Sequence, residues 1–175
     1  MSVVAARVHD RKIVVASDSI IMRGISKRNN LTKLESINGM IVGGTGTAEE
    51  LTYMWQYMNT HQPASSSERD ILDFVIEFSR WKNDMVGSPV VENEYVMAYQ
   101  GRLFMISLMY VKEIRDFVAI GAGEDFANAA LYLGHTPEEA VEVACSLSCY
   151  VSGPVVRYEM ESQLCYESKQ CEVKI

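Results

Sequence analysis

Residues 2–18 read SVVAARVHDRKIVVASD, and this stretch decides the fold. Chain ends are usually frayed and polar, yet here an apolar, β-branched run starts at Val3 and continues to Val8. His9-Asp10-Arg11 is a short polar break, and Lys12–Ser17 then resumes the strand pattern. Two such runs around a short break read as a β-hairpin. Ile13–Ala16 is continuously apolar, which fits a strand covered on both faces. Ser2 stands directly before the first strand. With Met1 removed, it would carry a hydroxyl and a free α-amine on one residue, a nucleophile with a built-in base. The plain alternative is an ordinary start residue.

The 175 residues have the size of one domain, taken as 1–175, and 48% are hydrophobic, enough for a sizeable core. A net charge of −7 gives no basic footprint for nucleic acid. The apolar runs are too short to span a membrane, and no charged n-region with an apolar h-region opens the sequence. The expected location is the cytoplasm. Cys145, Cys149, Cys165 and Cys171 cluster in the last third without a CxxC pair. Cys145 and Cys149 are four apart on a helical pattern and could share a zinc ion, but no histidine lies near them. Free thiols in a reducing cytosol are the expectation, with no metal or cofactor.

Beyond the hairpin, Ile20–Gly24 extends the chain, and Ser26–Asn30 reads as a polar, positively charged loop. Leu31-Thr32-Lys33-Leu34 alternates. Asn38-Gly39 is a tight-turn signal, and Met40-Ile41-Val42 is a strand running into Gly43-Gly44-Thr45-Gly46. Thr47 with Glu50 reads as a capping box. Leu51, Met54, Trp55 and Met58 form the apolar stripe of the helix behind it. Ser67 with Asp70 starts a second helix, striped by Ile71, Phe74, Val75, Phe78 and Trp81. Tyr95–Tyr99 and Arg102–Met109 make another hairpin around Gln100-Gly101. Val111–Asp116 reads as a polar connection. Phe117–Ile120 is a buried strand entering Gly121-Ala122-Gly123. An alanine-rich helix from about Asp125 to Leu133 stops at Gly134. Thr136-Pro137-Glu138-Glu139 is a complete helix start. Val155–Met160 and about Leu164–Val173 read as closing strands. Paired helices between runs of strands predict an α+β fold, a four-layer αββα sandwich with two sheets inside and helix pairs outside.

Taken together, these segments resemble the proteasome β-type subunits and the related bacterial HslV peptidase, which are N-terminal-nucleophile hydrolases. The resemblance covers nearly the whole chain in the right order. It places Ser2 where the family has its N-terminal threonine. Ala16-Ser17-Asp18 matches the segment ending in a catalytic aspartate, and Lys33 matches the catalytic lysine. Val42-Gly43-Gly44-Thr45-Gly46 with Ala48-Glu49 resembles the strand end that supplies the oxyanion donor, assigned to Gly43. Ala119–Gly123 and Thr136–Ala140 resemble the second helix pair. Ser152-Gly153 matches a supporting Ser-Gly. Two positions depart from the pattern: Ala122 replaces a serine, and Cys149 replaces an aspartate, both beside the terminal amine.

The chemistry implied is peptide-bond hydrolysis. Ser2 attacks the carbonyl, its α-amine takes the proton, Lys33 and Asp18 set the electrostatics, and backbone N–H groups near Gly43 stabilise the oxyanion. The plain alternative for Asp18 and Lys33 is a buried pair that only supports the strands. The resemblance implies polypeptide substrates, a homo-oligomeric ring and an ATPase unfoldase as a possible partner. Positions around Arg23–Ser26 and Thr45–Glu49 are expected near the pocket. Two other readings stay open: a non-catalytic assembly protein of the same fold, supported by Ala122 and Cys149, and an amidohydrolase acting on a small amide.

Overall fold

The computed structural model describes residues 2–23, 26–29 and 31–163. The expectations for Met1 and for a strand over 164–173 lie outside the described residues. The N-terminal hairpin forms as β1 (Val4–His9) and β2 (Lys12–Ser17). Asp10 and Arg11 turn between them with φ of 47° and 63°. Positive φ at both central residues matches the twist of the flanking strands. β10 (Phe117–Ile120) pairs with β1, and β11 (Val156–Glu161) pairs with β2, giving one antiparallel sheet in the order β10-β1-β2-β11.

The second sheet runs β5-β6-β7-β8-β9, built from Leu34–Ile37, Met40–Thr45, Glu94–Tyr99, Arg102–Ser107 and Tyr110–Ile114. Asn38-Gly39 and Gln100-Gly101 close its hairpins with positive φ at all four residues. Two segments differ from the sequence reading. Residues 110–114 are a strand, and Ser26–Asn29 is β4, paired with β3 (Ile20–Arg23) in a two-stranded ribbon. Neither has the apolar alternation that marks a half-buried strand. Both are held by the neighbouring strand's backbone, which leaves no trace in local composition.

Side-chain alternation along β1 explains the layers. Val4, Ala6 and Val8 point between the sheets and meet Leu34, Ile41, Val96 and Leu103. Val3 and Ala5 point the other way, onto the helices α3 (Glu124–Tyr132) and α4 (Pro137–Leu147). That outer interface is built from Ala5, Ala16, Ala119, Ala127, Ala130, Ala140 and Ala144, whose short side chains let helix and strand backbones approach closely. On the other side, α1 (Ala48–Met58) and α2 (Glu68–Val86) cover the second sheet through Leu51, Met54, Phe74 and Phe78. The result is the four-layer αββα sandwich. Among the described residues no helix is long and apolar enough to cross a membrane.

The starts of α4 and α1 differ. Thr136 and Glu139 form the full reciprocal capping box at α4. At α1 only half forms: Thr47 Oγ1 accepts from Glu50 N at 3.4 Å, but the Glu50 carboxylate turns inward. It accepts from Lys82 Nζ at 2.6 Å and from Tyr95 Oη at 3.0 Å. Lys82 on α2 is itself buried. A buried ammonium requires a counter-charge, and that demand outcompetes the cap.

Candidate active site

Ser2 is buried just before β1, with 4% of its surface exposed. Its carbonyl accepts from Gly123 N at 3.3 Å. Gly121 passes so close that a Cβ there would lie 2.6 Å from Ser2 O and 2.7 Å from Thr45 Cγ2, and its φ is +92°. Glycine is thus required on two counts where the β10–α3 turn presses against Ser2.

Asp18 follows β2, level with the start of β1. Its N–H donates to Val3 O at 3.2 Å, and Val3 N donates to Asp18 Oδ1 at 2.9 Å. The residue after Ser2 is therefore pinned to the aspartate from both sides. Lys33, just before β5, reaches the same carboxylate with Nζ at 2.9 Å from Oδ1 and 2.8 Å from Oδ2. Asp18 is fully buried and Lys33 is 2% exposed. Ile20 N and Ser152 N approach Oδ2 at 3.4 and 3.5 Å. Burial pulls the Lys33 pKa below its ordinary 10.5, and this outweighs the opposing attraction and hydrogen bonds from Asp18. Lys33 is therefore easier to deprotonate than an ordinary lysine, although a carboxylate grips it. Asp18 and Lys33 are in contact, and the net direction of the Lys33 shift is downward.

Ser2 and Lys33 share the wall of a cavity of about 220 Å³, with Ile20, Ile21, Leu31 and Leu51 as its apolar lining. Gly46, Thr47, Ala48 and Glu49 form its rim. Of the expected pocket positions, 46–49 are there, and the side chains of 22–30 lie outside the described residues. Larger hollows exist elsewhere. The one of about 740 Å³ is lined by Arg102, Glu113, Lys112 and Glu68, charges already paired with one another.

Gly43 is not at the cavity. It lies within β6, opposite Leu34 on one side and Val96 on the other. A Cβ there would meet Val4 Cγ1 at 2.7 Å, so the glycine is required for the sheets to close. The glycine at the cavity is Gly46, with φ +134°. Ser152 reaches the site through its backbone: its N–H faces Asp18, and its carbonyl accepts from Ser19 N at 3.3 Å. Gly153 follows in the same loop and is not a cavity residue. Cys149 is exposed, as is Ala122, and neither lines the cavity.

Two residues near the site were not placed there by sequence. Cys145 on α4 couples electrostatically to Asp18 and Lys33, and burial first, then Asp18, pushes its thiol up to about 11. By sequence Cys145 was a free thiol, or a zinc ligand shared with Cys149. Asn93, fully buried, holds the cavity rim: its Oδ1 accepts from Thr47 N at 2.7 Å and its Nδ2 donates to Thr47 O at 2.9 Å. No local pattern marks it, since it lies in a loop before β7. Among the described residues no group of three or more His, Cys, Asp or Glu is arranged to hold a metal ion.

No protein-family model matches the chain, and no curated protein matches it. Solved structures do. Thiobacillus denitrificans BPH in complex with epoxomicin superposes with a TM-score of 0.82 at 20% identity, covering 91% of this chain and 98% of that one. Another structure of Thiobacillus denitrificans BPH gives 0.83 at 19% identity over 91% and 97%. The eukaryotic HslV from Trypanosoma brucei gives 0.69 at 17% identity over 91% and 99%. The chain therefore has the HslV-like, proteasome β-type fold.

Proposed function

We propose that this chain is a proteasome-like peptidase subunit whose nucleophile is Ser2, exposed as the first residue after Met1 is removed. The observation that carries the reading is the buried Asp18–Lys33 pair, clamped to the Val3 backbone beside Ser2 and sharing its cavity. Ser2 Oγ attacks the carbonyl carbon of a peptide bond, and the α-amine accepts its proton. The Lys33 charge favours the alkoxide character developing at Oγ, and Asp18 fixes Lys33 in place. The C=O π pair becomes the oxyanion, for which Gly46 N–H, rather than Gly43, is the donor assigned here. Thr47 N–H cannot serve, because Asn93 already takes it. Collapse of the tetrahedral species breaks the C–N bond, and the α-ammonium gives its proton to the leaving amine. Water then hydrolyses the Ser2 ester.

The reading takes an unfolded polypeptide as substrate, a ring of like subunits as the working form and an ATPase unfoldase as a candidate partner. Free thiols at Cys145 and Cys149 suit a reducing cytoplasm. Intact-mass measurement on protein from its native source, with peptide hydrolysis by native and Ser2→Ala protein, tests the reading. Met1 absent and turnover abolished in Ser2→Ala is the expected result. Retained Met1, or unchanged turnover in the variant, overturns it and leaves a non-catalytic assembly role for the fold.

A further inference from the structure

We infer that Asn93 is a positioning residue: its carboxamide sets the Gly46–Thr47 turn so that Gly46 N–H faces the carbonyl oxygen under attack at Ser2. The inference rests on the nucleophile reading above and extends it to a residue in a distant loop.

The geometry is specific. One side chain takes both backbone groups of Thr47, accepting from its N–H at 2.7 Å and donating to its carbonyl at 2.9 Å. The carboxamide orientation follows from chemistry, because a backbone N–H only donates and a carbonyl only accepts. The same side chain occupies the place where a Gly46 Cβ would stand, 2.0 Å from Asn93 Oδ1. Residue 46 therefore has both its conformation, φ +134°, and its missing side chain dictated by Asn93.

Asn93 is in turn held fast. It is 0% exposed, and its own N–H donates to Glu50 Oε1 at 2.9 Å. Tyr95 Oη donates to the same oxygen, while Glu50 Oε2 accepts from Lys82 Nζ at 2.6 Å and Glu92 N at 3.1 Å. Lys82 also donates to Val90 O. A carboxylate with four donors is a fixed anchor, and it ties α1, α2 and the 87–93 loop to one turn. Fully satisfied buried networks of this kind rigidify what they touch. A carboxamide on the surface would have served the Thr47 backbone as well as water does. A buried one on a rigid anchor fixes an angle.

A transition-state donor must be in place before the reaction, and misplacement by about 1 Å costs on the order of 10²-fold in rate. Asn93→Ala is therefore expected to lower kcat per active site by about 30- to 100-fold with KM changed less than about 3-fold. A peptide aldehyde reports the same feature: Ser2 Oγ adds to the aldehyde carbon, the proton passes to the α-amine, and the former C=O oxygen becomes the oxyanion. Its inhibition constant should rise in step with the loss of kcat/KM. Asn93→Asp keeps the acceptor for Thr47 N–H and loses the donor to Thr47 O. It also sets a carboxylate oxygen against the Thr47 carbonyl, so it should lose about 10-fold or more.

Hydrogen exchange gives a readout independent of catalysis: the Thr47 amide should exchange at least about tenfold faster in Asn93→Ala. Unchanged exchange there, or kcat per site within about 2-fold of native, overturns the positioning role. If Asn93→Ala does not fold, Asn93→Asp decides alone, and native kcat in it overturns the role. No turnover and no aldehyde binding by protein with a free Ser2 amine overturns the nucleophile reading and this inference with it. Native turnover that survives in Asn93→Ala overturns this inference only.

Discussion

Replacing Lys33 with methionine tests the electrostatics of the Asp18–Lys33 pair through stability alone. The variant keeps the length of the side chain and removes the charge. Asp18, fully buried, is left with Val3 N at 2.9 Å and the longer approaches of Ile20 N and Ser152 N at 3.4 and 3.5 Å. Only the first lies within good hydrogen-bond geometry. Breaking a buried pair from one side costs about 3–5 kcal/mol. An upper bound follows from protonation, since Asp18 can neutralise itself instead. From an unfolded pKa near 3.9, that costs about 5 kcal/mol at pH 7.5 and about 1.5 kcal/mol at pH 5. We expect a loss of about 4 kcal/mol at pH 7.5 and about 1–1.5 kcal/mol at pH 5. The loss is larger at the higher pH, because a carboxylate left without its partner is then buried with its charge. Urea unfolding at constant protein concentration reads both values. With a slope near 2 kcal/mol/M, the midpoint should drop by about 2 M at pH 7.5. Asp18→Asn combined with Lys33→Met should be less destabilised than Lys33→Met alone, because no charge is left behind. Equal losses at the two pH values, or a loss under about 1 kcal/mol at pH 7.5, would refute the reasoning.

Ser17 Oγ is buried and finds no hydrogen-bond partner among the described residues, so Ser17→Ala should stabilise by about 1 kcal/mol in urea melts. A clear loss would show that the hydroxyl is partnered. Gly43→Ala places a methyl 2.7 Å from Val4 Cγ1 between the sheets, an overpacking expected to cost about 1–3 kcal/mol. A neutral result would mean that the sheets can part there. Burial alone would raise the Glu50 pKa, but hydrogen bonds from Lys82 and the Asn93 and Glu92 N–H groups prevail and lower it from 4.5. Its stabilisation is therefore present above that value and lost as pH falls through the lowered folded pKa. Urea midpoints measured down to pH 3 should fall more steeply for the native chain than for Glu50→Gln; parallel slopes would contradict this.

Much of this was written in local sequence. The apolar runs around Asp10-Arg11 specified the first hairpin, and Thr136-Pro137-Glu138-Glu139 specified α4 down to its capping box. Asp18 and Lys33 were legible as a pair through the resemblance, and they meet at 2.8 Å. What was illegible depended on partners distant in sequence. β4 and β9 exist because a neighbouring strand offers its ladder. Glu50 has the spacing of a capping residue, yet Lys82, 32 residues away, claims it. Asn93 is 46 residues from the turn that it controls, and a lone asparagine in a loop carries no sign of such a task.

The run Gly43-Gly44-Thr45-Gly46 shows why composition does not pick out the glycine that lines the Ser2 cavity. By composition its three glycines are alike. In the fold each is glycine for a different reason. Gly43 has none of the room a side chain needs, because Val4 crosses from the facing sheet. Gly44 points to the opposite layer, where a Cβ would lie 2.4 Å from Leu51 Cδ2 and 2.8 Å from Tyr95 Cδ1. These two let β6 be covered closely on both faces, which is a packing requirement. Gly46 alone combines a left-handed φ with a place on the Ser2 cavity. A glycine needed for closure sits inside a ladder where its backbone is committed to neighbouring strands. A glycine with its amide free of the ladder has to lie past the ladder's end, and β6 ends at Thr45. Strand length, set by pairing with β7 through Thr45 and Glu94, thus decides which glycine reaches the Ser2 cavity.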